Sequence, residues 1–215
     1  MSDEQPNSNM YVPASYAAPD PRAIAREFPF ATLTTVGPEG PLATLAPIFF
    51  ETEAADEMRL IGHMARRNVQ ASMLENGQRA LVLFNGPHAY ISASWYRERP
   101  TVPTWNYVSA QVSGTLAPID DPAEQLGILR LTAERLEGKS DGAWTLEQAP
   151  PGRVEELVPF IRSFRISIEA IGGATKLSQA QPASDRLRVI DALELRGRSG
   201  DLEIARRMRA LDGSD

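Results

Sequence analysis

Two arginines and an asparagine behind a β-type run are the residues best suited to grip an anion. The segment Gly62-His63-Met64-Ala65-Arg66-Arg67-Asn68 places guanidinium forks where a strand hands over to a helix. Forks beside the free N–H groups of a helix start suit a phosphate. Cations at that end of a helix are disfavoured unless something anionic compensates them. A solvated helix start is the equally simple alternative. A second cluster, Lys176-Leu177-Ser178-Gln179, offers an amine, a hydroxyl and an amide after Gly172-Gly173, which reads as a turn. It could bind an anion or cap the next helix. A third signal is aromatic: Tyr90, Trp95, Tyr96, Trp105 and Tyr107 surround Pro100-Thr101-Val102-Pro103-Thr104. Such rings give flat apolar area with a polar tip, fit for an interface or a planar ligand. Core packing would explain them too, but tryptophans flanking a proline-containing loop favour an interface.

Other chemistries are excluded by counting. The chain has two histidines, His63 and His88, and no cysteine. A histidine-rich metal centre, disulfides, thiolate catalysis, zinc ribbons and cysteine-ligated clusters are therefore ruled out. No nucleophile-elbow pattern accompanies the histidines, which read as structural hydrogen-bonding groups, so no catalytic residue is assigned. The balance of 22 basic against 28 acidic residues in 215, a net charge of −6, argues mildly against nucleic acid as a partner. Apolar runs such as Leu42–Phe50 are too short to span a bilayer, and Met1–Asn9 is polar with no signal-like apolar region. The expectation is a cytoplasmic protein with no membrane partner.

The elements that must position these groups follow from pattern. Asp20-Pro21 starts a short helix to about Phe28. Phe30–Val36, Leu42–Phe50 and Met58–His63 read as strands, the first two joined by Gly37-Pro38-Glu39-Gly40. A helix is expected from Ala65 to about Glu75, then strands at Ala80–Phe84, Ala89–Trp95 and Trp105–Leu116, with Asn85-Gly86-Pro87 separating the first two. Asp121-Pro122-Ala123-Glu124 carries the cap, proline and glutamate of a helix start, running to Gly138. Pro159–Ile171 contains an alternating strand, and Ser184–Leu195 and Asp201–Leu211 read as two amphipathic helices. The latter hold Arg186, Arg188, Arg196, Arg198, Arg206, Arg207 and Arg209. In outline they resemble a helix-turn-helix, but Ile190, Leu193, Leu202, Ala205 and Met208 form one packing face, which favours a docked hairpin. About six or seven strands, mostly hairpin-connected, favour an antiparallel β-barrel with peripheral helices. No glycine-rich phosphate loop supports a doubly wound fold.

In order along the chain, Met10-Tyr11-Val12-Pro13, Pro29-Phe30-Ala31-Thr32-Leu33, Gly62-His63, Phe84-Asn85-Gly86-Pro87-His88-Ala89-Tyr90-Ile91-Ser92, Ser94-Trp95-Tyr96, Val102-Pro103-Thr104-Trp105-Asn106-Tyr107 and Lys176-Leu177-Ser178-Gln179 resemble the PaiB-like family. Its members are FMN-binding negative transcriptional regulators. The resemblance runs from about Met10 to Leu211. It implies a six-stranded antiparallel split barrel of the FMN-binding type, assembled as a homodimer with flavin in a cleft between subunits. It divides the chain into a disordered lead at 1–9, a barrel domain at 10–180 and a helical extension at 181–215 packed on the barrel. By that analogy Arg66, Arg67 and Asn68 take the phosphate of FMN or another small planar ligand. Thr44 and Thr34 are strand candidates facing it. His63, Gln111, Lys176, Ser178 and Gln179 complete the cofactor-binding set, and Trp95, Trp105 and Tyr107 wall the cleft. Several family positions differ here: Leu45 and Gln111 stand where histidines are usual, Val69 and Ala71 replace a proline and an aromatic, Thr175 replaces an aromatic and Ala180 an asparagine. That pattern fits a retained fold with a retuned pocket. An FMN-dependent oxidoreductase and a flavin-free dimeric binding protein are the alternative readings. DNA is a partner by family analogy only.

Overall fold

Alternation over Phe30–Gly37 (β1) and over the first part of Gly40–Phe50 (β2) gives each strand two unlike faces. The two pair antiparallel, with Leu33 opposite Thr44 and Ala31 opposite Ala46. Leu33, Ala31 and Ala46 are buried and mark the inward face. Phe30, Thr32, Thr34 and Val36, opposite Pro47, Leu45, Ala43 and Pro41, share the outward one. Further strands are β3 (Arg59–Ala65), β4 (Gln78–Ile91), β5 (Thr104–Ile119) and β6 (Ile161–Lys176). Together they form the expected six-stranded antiparallel barrel, closed in the order β1-β2-β3-β6-β5-β4. The structure, a computed structural model, describes residues 10–98, 101–138, 140 and 142–212. The lead expected at Met1–Asn9 and Pro100 of the aromatic loop lie outside these residues.

The chain divides into two compact units. One comprises Pro29–Leu83 and Val112–Ala170. Its inward core includes Leu33, Ile48, Leu60, Val82, Phe164 and Ile166, all fully buried. Here α2 (Val69–Ser72) is a single turn, and α3 (Pro122–Glu137) sets Ile128 and Leu131 against Ile61 of β3 and Ile119 of β5. The Asp121 carboxylate accepts from the Glu124 N–H at 2.8 Å, as the sequence pattern implies. A short α4 (Arg153–Leu157) precedes β6.

The other unit holds the described residues of Met1–Phe28, Phe84–Gln111 and Ile171–Asp215. It contains α1 (Pro21–Glu27), capped by Asp20, and the consecutive helices α5 (Ala183–Arg196) and α6 (Asp201–Asp212). Val189, Ile190 and Leu193 of α5 and Ile204, Ala205 and Met208 of α6 are buried. Leu202, expected on the packing face, is 60% exposed, and Asp201 is buried in its stead because Arg196 grips it with both Nε and Nη2. Among the described residues, no helix is long and apolar enough to cross a membrane.

Three departures from the sequence reading have physical causes. Asn85-Gly86-Pro87 does not interrupt β4, which runs unbroken to Ile91. A Cβ at Gly86 would lie 2.8 Å from the Phe28 ring and 3.0 Å from the Val108 carbonyl, so glycine serves close approach there and not a turn. The helix expected from Ala65 to Glu75 shrinks to Val69–Ser72, because the Arg66 N–H donates to the Phe160 carbonyl at 2.8 Å and prolongs strand pairing. Gly172-Gly173 is likewise no turn, since β6 continues through it to Lys176.

Close strand approach is also visible at Gly114, where an added Cβ would meet the Ser167 carbonyl oxygen at 2.1 Å. Gly114→Ala is expected to lower stability by about 2–3 kcal/mol, the cost of overpacking against backbone that cannot yield. Urea unfolding should show a reduced midpoint, and a midpoint equal to that of the wild type would refute the constraint.

Candidate functional site

In the first unit, the end of β3 and the turn into α2 gather five of the sequence-predicted residues. Asn68 caps α2: its Oδ1 accepts from the Gln70 N–H at 2.9 Å. Its Nδ2 donates to Thr44 Oγ1, also at 2.9 Å. Thr44 and Asn68 therefore satisfy one another, and register sets Thr44 on the inward face while Thr34 points outward. Gln70 is buried beneath them and donates to Thr35 Oγ1 at 2.9 Å, fastening α2 to β1.

The two neighbouring arginines have different surroundings. Arg66 donates through Nε to the Ile161 carbonyl at 3.0 Å and through Nη1 to Asp120 at 3.4 Å. Asp120 is shared: Arg162 reaches it with Nη2 at 2.9 Å and Nε at 3.1 Å. The Arg162 hydrogen bond, helped by the charge of Arg66, holds the Asp120 carboxyl below its ordinary range. Arg67 is exposed and forms no ion pair among the described residues. It is the guanidinium of this cluster that remains available to a ligand.

His63 stands on the outward face of β3, directly opposite Ser163 of β6. Its Nδ1 and the Ser163 Oγ are both buried without a hydrogen-bond partner. The expectation of a hydrogen-bonded structural histidine does not hold for that nitrogen. Burial drives the His63 pKa down, so the ring is neutral in the fold. The outward face of β1 and β2 nearby is apolar and open: Phe30 is 64% exposed, Val36 67% and Leu45 59%. An open apolar sheet, threonine hydroxyls, an orphaned buried imidazole nitrogen and an unpaired arginine fit a planar ring that carries a phosphate.

The remaining predicted residues, Trp105, Gln111, Lys176, Ser178 and Gln179, belong to the second unit. Trp105 is half-exposed between the rings of His88 and Tyr90, edge-on at 5.6 and 6.0 Å. Gln111 is half-buried on β5. Lys176 Nζ donates to Thr104 Oγ1 at 2.6 Å and lies 5.5 Å from the centre of the Tyr16 ring. Ser178 adopts φ +60°, strained for a non-glycine residue. Its Oγ lies 3.0 Å from Asn106 Nδ2 and 3.3 Å from the Tyr96 hydroxyl. The Gln179 amide is committed to the loop: Oε1 accepts from the Leu177 N–H, and Nε2 donates to the Thr175 and Ser15 carbonyls. Asp120, Arg162 and Ser163, and in this unit Tyr16 and Thr104, carried no role in the sequence reading. Asp120 sits beside the obvious helix cap at Asp121 and reads as part of it, while Ser163 is visible as polar but not as unpartnered. Among the described residues no group of three or more acids or histidines could hold a metal.

A family model described as "Putative FMN-binding domain" matches residues 10–170. The protease synthase and sporulation protein PAI 2 of Bacillus subtilis is 34% identical over 190 residues, covering 86% of this chain and 89% of its own. An uncharacterized protein of Emericella nidulans is 31% identical over 210 residues, covering 80% of this chain and 84% of that one. Among solved structures, the flavocytochrome Anf3 of Azotobacter vinelandii superposes with a TM-score of 0.59 at 17% identity, over 82% of this chain and 78% of that one, a likeness of fold.

The neutral, buried His63 sets a pH response. Its folded pKa lies below the ordinary 6.5. The unfolded chain therefore takes up the proton first as pH falls. Stability is complete above about pH 6.5 and is lost as pH drops through the folded value. Urea midpoints measured between about pH 8 and pH 5 should decline in that window, and His63→Gln should flatten the decline. Equal slopes in the two proteins would remove His63 as the cause.

Proposed function

The chain belongs to the FMN-binding domain family of split-barrel type, resembling PaiB-type regulators, and from that premise we propose that it binds FMN on the outward face of its first unit and works as a homodimer. The observation that carries the reading is the juxtaposition of exposed Phe30, Val36 and Leu45 with the orphaned His63 Nδ1 on one barrel surface. Arg67 would meet the phosphate, assisted by Arg66. Asn68 and Thr44 would hold the turn that presents both, and His63 would offer a polar contact to the ring. Bound flavin would supply hydride or electron transfer, which asks little acid–base help from side chains. The protein's own residues would contribute binding, orientation and exclusion of water.

A second copy is the natural cover for this face. Contiguous exposed apolar surface on a sheet is costly in water, and a twofold contact buries it on both partners at once. We place the protein in the cytoplasm, with the barrel domain at 10–180 and residues 181–215 as its helical extension. Regulation through DNA, carried from the PaiB resemblance, would need a cationic surface. The α5–α6 arginines argue against that pair of helices as the reader: Arg196 pairs with Asp201, Arg207 with Glu203 and Glu27, and Arg209 with Glu194.

Titration with FMN and with riboflavin tests the proposal. Quenching of flavin fluorescence should report saturable binding of both, with FMN the tighter. Arg67→Ala should weaken FMN roughly tenfold or more, the loss of a charge-assisted hydrogen bond, while leaving riboflavin unchanged. Protein that ignores both flavins would sink the cofactor reading. Leu45→Glu should shift sedimentation from dimer to monomer, and a monomeric wild type would remove the dimer.

A further inference from the structure

The second unit contains a cavity of about 160 Å³ lined by Tyr16, Tyr96, Thr101, Val102, Thr104, Lys176, Ser178, Ala180 and Gln181. We propose that it is a binding site for a small organic carboxylate, separate from the flavin surface. Size limits the ligand first. A cavity of about 150 Å³ holds a benzene-sized molecule, so about six to eight non-hydrogen atoms fit.

The lining is rich in donors and holds one cation. Lys176 spends one N–H on Thr104 Oγ1 and forms no ion pair among the described residues. Having accepted from the ammonium, the Thr104 hydroxyl keeps its own proton to give. Burial raises the Tyr96 pKa, so that phenol stays protonated, and its O–H is engaged with Ser178. The ammonium and the Thr104 hydroxyl together match the two oxygens of a carboxylate. On another side, Gln181 keeps its Oε1 buried without a hydrogen-bond partner. An acceptor left in that state is expensive, and a ligand bearing an O–H or N–H donor would relieve it. Val102 and Ala180 supply apolar wall. The chemistry that satisfies all of these groups is a small hydroxy- or amino-carboxylate.

The structure also explains why the site exists. Ser178 is driven to φ +60° where β6 has ended, and Gln179 ties the loop back to Thr175 and Ser15. That loop path keeps Ser178 on Asn106 and leaves room above Lys176. Backbone strain held by surrounding hydrogen bonds is the mark of a geometry retained for use.

The test uses the full chain with lactate, propionate, lactamide and inorganic phosphate as probes, followed by saturation-transfer NMR. Lactate should bind with a dissociation constant of about a millimolar, as expected for so few atoms. Propionate, lacking the donor, should bind more weakly, and uncharged lactamide should not compete. Lys176→Met should weaken lactate by about tenfold or more, the loss of a charged hydrogen bond. Val102→Trp, which fills the cavity from a residue 73% exposed, should abolish lactate binding with an unchanged melting temperature. In Val102→Trp the FMN titration should match the wild type, which distinguishes failure of this site from failure of the flavin reading. The proposal is overturned if no probe binds saturably, if lactamide or phosphate displaces lactate equally well, if Val102→Trp binds lactate as before, or if Val102→Trp loses FMN and lactate together.

Discussion

One step of register between β1 and β2 decides what this barrel can present to the outside. With Leu33 opposite Thr44, the inward set closes over the core and the outward set is Phe30, Thr32, Thr34, Val36, Ala43 and Leu45. A slip by one residue would exchange the faces, turning Leu33 to water and Phe30 inward. The outward face is consequently specified by the need to bury the other. Its apolar character is then a separate choice, because a sheet that meets only water is usually polar on that side. Where α3 covers the barrel, Ile61, Ile119 and Ile128 use the outward apolar positions for packing. Over β1 and β2 no such use is made within the unit, and Phe30, Val36 and Leu45 remain open.

Beside that face, charge is distributed so that one arginine stays available. Arg162 and Arg66 converge on Asp120, and the carboxylate neutralises much of what would otherwise be a concentrated positive end. Arg162 also donates to the Ala71 carbonyl, tying α2 to β6. The arrangement gives Arg66 a largely positional part: its N–H extends the β3–β6 pairing and its Nε holds the Ile161 carbonyl. Arg67, one residue on, points where neither constraint reaches. Adjacent identical residues thus carry different work, one fixing the turn and the other facing solvent with its fork unspent. Surface pairs such as Arg66–Asp120 are weak individually, and the backbone bonds do most of the holding.

Much of the fold was legible from pattern, because barrel strands announce themselves by alternation and helix starts by their caps. Asp20, Asp121 and the strands at Phe30 and Leu42 behave as their residue types dictate. Two of the failures share one cause: glycine and proline in a strand are taken for punctuation. Gly86 and Gly173 sit inside long strands because neighbouring groups come too near for a side chain; Gly173, for example, lies where a Cβ would be 3.1 Å from Ala18 and Pro21. Sequence shows that a residue lacks a Cβ and is silent on whether conformation or crowding requires it. Leu202 failed for a related reason. Periodicity assigned it to the packing face, yet a buried Arg196–Asp201 pair, invisible to a hydrophobic pattern, took the position.

The candidate site was legible as residue types and illegible as roles. Arg66, Arg67 and Asn68 read as one cluster in the sequence, but only three dimensions distinguish a cap, a brace and a free guanidinium. Lys176-Leu177-Ser178-Gln179 reads as one motif, and its members do three different things: Lys176 faces a cavity, Ser178 joins a buried hydroxyl–amide network, and Gln179 is consumed by backbone. What a polar residue does is set by how many of its hydrogen-bond valences the fold has already filled, and that number is a property of three dimensions. By this measure both Gln179 amide N–H groups are spent, whereas Arg67, Lys176, His63, Gln181 and one N–H of Asn68 retain capacity. A ligand can be gained only where capacity remains, so the binding proposed for each unit must fall on its unspent groups, with the filled ones holding them still.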